Sequence, residues 1–239
     1  MNIIPAVDVL DGRVVRLLKG DFDAVTTYDE DPVGVAAHWI ALGAPIVHVV
    51  DLDAARTGTA DPRLWAAFAA EGIPFQLGGG IRDAPSATHA IESGVARVVV
   101  GSAIVHHPDT LKCVVAAVGS ERVVAAVDVR DGRARGSGWE DRGIAWEDAI
   151  DRVVSSGAGA LLVTGIETDG TLAGPDLSLL SRVRAVAANV PLIASGGVAA
   201  IDDLRALEDI GCVSAIVGRA LYDRTITFED VVAHGFFSS

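Results

Sequence analysis

Cysteine is nearly missing from this chain: of 239 residues, only Cys113 and Cys212 are cysteines. One falls in an expected helix and the other just before an expected strand. Neither a disulfide framework nor a thiolate metal site is in prospect, and a reducing cytosol suits such a chain. Positive charge is short as well. Nineteen Lys and Arg against 32 Asp and Glu leave a formal net charge of -13, which argues against nucleic acid or anionic membrane as a partner, because both need a basic footprint. Any anionic ligand must therefore be held by local donors rather than by the overall field. No apolar run reaches the ~18 residues of a membrane span, and the opening MNIIPAVDV lacks a basic segment ahead of a long apolar run, so neither span nor export signal is expected. The histidines at 38, 48, 89, 106, 107 and 234 show no metal-ligand spacing. Nucleophile elbow and P-loop are also missing. His48, inside an apolar strand, reads as a hydrogen-bonded core or wall residue.

What the chain does have is a repeat. AVDVLDGR at 6–13 returns as AVDVRDGR at 126–133, carrying Asp8 and Asp128 to equivalent places. PFQLGGGI (74–81) answers PLIASGGV (191–198), and VVVGSAI (98–104) answers AIVGRAL (215–221). More loosely, HVVDLDAARTGT (48–59) answers LLVTGIETDGT (161–171). Two similar halves, about 1–120 and 121–239, are expected within one domain, since no linker or low-complexity segment divides them.

Short runs rich in Val and Ile recur at 2–8, 46–51, 74–78, 97–101, 122–128, 160–164, 191–195 and 214–218. They are continuously apolar rather than alternating, as parallel strands buried on both faces should be. Helical stretches lie between them with readable starts. Asp31-Pro32 and Asp61-Pro62 set a capping carboxylate before a proline at the first helical position, and Asp83 and Asp202 are expected to cap likewise. Eight βα units in two similar halves predict an α/β fold, a single-domain (β/α)8 TIM barrel built from two half-barrels.

In such a barrel the loops after the strands share one face, and that face holds the chemistry. Asp8, Asp51, Asp53, Asp128, Thr164 and Asp169 all fall at or beyond those strand ends. So do four glycine-rich turns. Gly79, Gly80, Gly101 and Ser102 follow strands 3 and 4, whereas Gly196, Gly197 and Gly218 follow strands 7 and 8. Glycine lets backbone approach a ligand closely, and amides beside a helix start attract a phosphate. Two pairs related by the repeat imply two phosphates on opposite sides of the barrel mouth, held chiefly by amides with Arg82 and Arg219 assisting. Carboxylates flanking a substrate divide proton donation and abstraction when their surroundings push their pKa values apart. Asp8, Asp128 and Asp169 are the candidates; Asp11 and Asp131, in the DGR tracts, are expected to brace turns instead.

The tracts IPAVDVLDGRVVRLLKGD, HVVDLDAARTG, GGGIRD, ARVVVGSA, AVDVRDGR, GW at 138–139, DGTLAGPDL, IASGGV and AIVGRALY together resemble the phosphoribosyl isomerases of histidine biosynthesis over essentially the whole chain. That resemblance implies an aminoaldose-to-aminoketose (Amadori) rearrangement of the phosphoribosylformimino derivative of aminoimidazole carboxamide ribotide. No cofactor takes part, and the substrate carries two phosphates. Position by position, the general base falls on Asp8 and the general acid on Asp169. Asp128, Arg16 and Thr164 fall on active-site positions, Gly174 joins the phosphate-binding set, and Trp139 is placed to stack on a planar ring. A cytoplasmic monomer is the default expectation.

Two departures from the family pattern stand out. Gly165 occupies a position where the family often has aspartate. Members that also isomerise phosphoribosylanthranilate in tryptophan synthesis carry an arginine two residues before the loop tryptophan; here that residue is Ser137, with Arg135 and Arg142 nearby. The histidine-pathway activity alone is therefore favoured. The alternatives are the bifunctional isomerase, the related cyclase that makes imidazole glycerol phosphate with ammonia, and a noncatalytic phosphosugar-binding barrel. The second strand end and first loop differ from the cyclase pattern, and intact acidic residues argue against the last.

Overall fold

The computed structural model describes residues 1–139 and 141–236, with Ser137 described by its backbone alone. In chain order its strands are β1 (Asn2–Leu10), β2 (Arg13–Leu18), β3 (Asp21–Asp29), β4 (Val47–Asp51), β5 (Phe75–Gly78) and β6 (Arg97–Val100). They continue with β7 (Val123–Arg130), β8 (Arg133–Arg135), β9 (Ile144–Ala145), β10 (Ala160–Gly165), β11 (Leu192–Ser195) and β12 (Ser214–Val217). Eight of these pair in parallel and in sequence, β1-β4-β5-β6-β7-β10-β11-β12, and β12 returns to β1 to close a barrel. Helices surround it. This is the expected single-domain (β/α)8 TIM barrel, with strand positions as expected to within a residue or two except where β1 and β7 run on.

Both faces of the strands are apolar because each is covered. Ile4, Ala6, Val99, Val124, Ala160, Leu162, Ile193 and Ile216 fill the barrel interior. Their neighbours in sequence, such as Ile3, Val7, Val98, Val100, Val123 and Val217, join the layer between strands and helices. Alternation of direction with constancy of hydrophobicity is what made the runs continuous. Among the described residues, no helix is long and apolar enough to cross a membrane.

The extensions of β1 and β7 are the main departure from expectation. Each strand turns back on itself as an antiparallel hairpin, β1 with β2 and β7 with β8, through Asp11-Gly12 and Asp131-Gly132. All four turn residues have positive φ, the left-handed pair that a tight two-residue hairpin requires and that Asp-Gly supplies cheaply. These aspartates thus serve the turns. β2 and β3 then form a second hairpin that lays Arg16 over the barrel mouth.

The helix starts follow the caps. Asp31, Asp61 and Asp83 accept from backbone amides of Gly34, Arg63 and Ser86, each ahead of a proline or in a capping box. Asp202 does not cap. Helix Ile201–Ile210 begins after Ala200, and Asp203 reaches back to the amides of Ala199 and Ala200 at 2.8 and 3.0 Å. Asp202 pairs with Arg205 in the exposed first turn instead.

Gly79 has φ +91, and a Cβ there would collide with the backbone carbonyl of Asp51. Gly157 also has positive φ but open space around it. Gly79→Ala should therefore lose about 3 kcal/mol in denaturant unfolding, from clash plus backbone strain, whereas Gly157→Ala should lose only about 1 kcal/mol.

Candidate active site

The C-terminal strand ends open onto a cavity of about 270 Å³. Asp8 on β1, Asp128 on β7, Thr164 on β10 and Asp169 in the turn after β10 all line it. β7 and β10 pair so that Thr164 lies opposite Asp128. Arg16 binds Asp8 through Nη1 at 2.5 Å and the Ala6 carbonyl through Nη2. Its guanidinium lies 5.3 Å from the centre of the Tyr222 ring, whose hydroxyl donates to the same carbonyl at 2.9 Å. Burial works against the Arg16 charge, yet Asp8, Tyr222 and Asp169 together raise its pKa.

The carboxylates do not share one environment. Burial, then the nearby Asp8 carboxylate, push Asp169 up to about 7, with Arg16 opposing and Asp128 adding to the rise. Burial also pushes Asp128 up, but hydrogen bonds from Thr164 and Trp139 hold it back. The indole Nε1 of Trp139 donates to Asp128 at 2.8 Å. An acid that keeps its proton near neutrality thus stands in a cavity with a carboxylate paired to arginine. Such a division suits one group to donate a proton and the other to take one.

The glycine turns flank this centre. Gly79 and Gly80 after β5, and Gly196 and Gly197 after β11, all have positive φ and all line the cavity. Gly101 and Gly218 precede the short helices Ser102–His106 and Arg219–Tyr222, neither of which has a side-chain cap. Backbone amides at a helix start are suited to an anion. Ser102 and Arg82 line the cavity too, and a Cβ at Gly58 would meet the Arg82 guanidinium. Arg219 is committed elsewhere as well, to Asp223 at 2.8 Å and to the Gly170 carbonyl at 2.7 Å. Gly174 is set apart from the cavity lining; its amide donates to the Gly197 carbonyl at 2.9 Å and buttresses that turn.

Residues 2–227 match the family model described as histidine biosynthesis protein. The chain belongs to that family. Proteins of Roseiflexus castenholzii and Thermomicrobium roseum are each 43% identical to it, over 98% and 96% of this chain and 99% and 95% of their own. A Synechococcus protein is 41% identical over 98% of this chain and 93% of its own. All three bear the name 1-(5-phosphoribosyl)-5-((5-phosphoribosylamino)methylideneamino) imidazole-4-carboxamide isomerase. This histidine biosynthesis protein is an enzyme, an isomerase of the aldose–ketose class.

Within the family member's site, some contributors were not expected. Asp51 and Asp53 serve structure: Asp51 caps the helix Leu52–Thr57, and Asp53 accepts from the Asp11 amide at 2.8 Å. Tyr222 supports Arg16, a role hidden because its sequence neighbours say nothing of a hairpin 206 residues away. Arg135 lines the cavity while its Nη1 donates to the Asp141 carbonyl at 2.6 Å. The side chain of Ser137, at the position tied to dual activity, lies outside the described residues. A Cβ on Gly165 would lie 3.1 Å from both Asp176 and Thr168, so an aspartate there would need those neighbours to give way.

Trp139→Phe removes the indole donor to Asp128 while keeping an aromatic surface. The Asp128 carboxyl should then titrate higher, as read by carbon NMR, and kcat should fall about tenfold through the lost charge-assisted bond.

Proposed function

We propose that this isomerase converts the phosphoribosylformimino-aminoimidazole carboxamide ribotide aminoaldose to its aminoketose. The observation that carries the reading is the buried Asp169, pushed up to about 7, beside the Arg16-bound Asp8 in one cavity that is also lined by the glycine turns after β5 and β11. Asp169 gives its proton to the ribose ring oxygen, which leaves C1 and becomes a hydroxyl as the ring opens to a Schiff base. Asp8 removes the C2 proton and the electrons shift toward the nitrogen to give an enaminol. The proton on Asp8 then passes to C1 while the C2 hydroxyl gives its own proton back to the Asp169 carboxylate, leaving a ketone at C2 and both aspartates as they began. Atoms balance without an outside oxidant or cofactor. Asp128 and Thr164 bind sugar oxygens, and Trp139 covers the ring from the β8 side.

The two phosphates are assigned to Gly79, Gly80, Gly101 and Ser102 at one pole and Gly196, Gly197 and Gly218 at the other. Arg82 and Arg219 add charge at the rim, and Gly174 shapes the second cradle. A cytoplasmic monomer is the default reading. Names of the 41–43% identical relatives support isomerisation over the ammonia-using cyclisation.

Asp8→Asn should lower kcat by about 10⁴-fold or more while the bis-phosphorylated substrate still binds within about threefold, because the anion sites stay intact; a variant with undiminished turnover would remove Asp8 from the base role. kcat/KM should fall as pH rises through about 7, since Asp169 must carry its proton to act as acid. A flat profile to pH 9 would contradict that assignment. Purified enzyme offered phosphoribosylanthranilate should show no efficient turnover; if it does, Arg135, which already lines the cavity, is the guanidinium to replace first.

A further inference from the structure

A polar chain crosses the barrel interior beneath the carboxylates, and the acid–base steps leave it unused. His48 on β4 pairs in register with Ala6 and Gln76, and Gln76 on β5 pairs with Arg97 on β6. Gln76 is wholly buried and His48 nearly so, yet His48 lines the cavity. Arg97 Nη2 meets Gln76 Oε1 at 2.7 Å, and Gln76 Nε2 meets His48 Nδ1 at 2.9 Å.

Donor and acceptor chemistry fixes every proton along this chain. A guanidinium only donates, so the Gln76 atom facing Arg97 must be the carbonyl oxygen. The amide NH2 is then turned toward His48. Nδ1 must accept, and the ring's proton must sit on Nε2. A second proton on Nδ1 would set one N–H against another in a buried place. Burial, then the positive charges of Arg16 from β2 and Arg97 from β6, push His48 in the same direction, down to about 3. The nitrogen left over, Nε2, is thus a neutral N–H donor on a ring that lines the cavity.

We propose that Gln76 and Arg97 are positioning residues that lock His48 as a neutral Nε2–H donor to a sugar oxygen beside the reacting carbons. The proposal rests on the isomerase reading above and gives it a donor that brings no charge into the centre. Burial makes the arrangement one-way: removing Arg97 frees the glutamine to flip, and replacing Gln76 by an acceptor reverses the ring's tautomer.

Long-range proton–nitrogen NMR of the unliganded wild-type enzyme reads this without activity. His48 should show a protonated Nε2 and bare Nδ1 unchanged from pH 5 to 9; an Nδ1–H ring, or one titrating in that range, would overturn the proposal. Gln76→Glu presents an acceptor to Nδ1 and should move a proton there, with kcat down about 100-fold, the scale of a lost oriented donor, and KM changed far less. Full kcat in a folded Gln76→Glu protein would also overturn it. Should Gln76→Glu fail to fold, His48→Gln, which keeps a neutral amide donor, should retain at least ten times the kcat of His48→Ala; equal rates would count against the donor role. Wild-type enzyme that leaves the aminoaldose unconverted would defeat the isomerase reading itself, while the tautomer spectrum still judges the relay.

Discussion

Three carboxylates meet at the mouth of this barrel, and one buried arginine stands among them. Like charges in a poorly hydrated space cannot all ionise without large cost. The cluster therefore settles its charge by division: Asp8 takes the guanidinium, Asp128 takes the hydrogen-bond donors of Thr164 and Trp139, and Asp169 is left to keep a proton. The acid and base roles proposed for Asp169 and Asp8 rest on that sharing rather than on any property of aspartate itself.

Loops over the cavity are stitched together in ways that preserve the division. The Lys19 amide donates to the Asp169 carbonyl at 3.3 Å, and Glu167 is gripped by both Lys19 and Arg130, each at 3.1 Å. Arg219 adds a bond to the Gly170 carbonyl. The segment that carries Asp169 is thus anchored from the hairpin that carries Arg16, from the end of β7 and from the short helix after β12. Keeping the loop after β10 close to the hairpin helps to bury Asp169, and burial is the largest cause of its raised pKa.

The barrel was legible in the chain because its strands are apolar on both faces, so eight runs of Val, Ile and Ala stand out against polar loops. Caps were legible where an aspartate precedes a proline, as at Asp31 and Asp61. Asp202 misled because a capping box puts its carboxylate at the third helical position, and two adjacent aspartates offer the choice to geometry alone. The hairpins after β1 and β7 were hidden inside DGR tracts that look like ordinary turns. Tyr222 and the Arg97–Gln76–His48 chain were harder still, since long side chains meet across strands and no periodicity marks them. Local rules read elements well; contacts between distant elements need the closed barrel.

The hairpin that bears Arg16 has a further consequence. Asp8 faces Val15 across its hairpin and Asp128 faces Arg135 across the other, so the turns are built alike. One step further along, where the first hairpin has Arg16, the second has Gly136, 120 residues on. A Cβ at Gly136 would press on His106 and Asp141. The duplicated scaffold would receive either end of a molecule with two matching phosphates equally well. Arg16 on one side and the Gly136 backbone on the other make the two halves of the mouth unequal, an asymmetry that would let a ligand with two like ends, such as the proposed substrate, settle one way round.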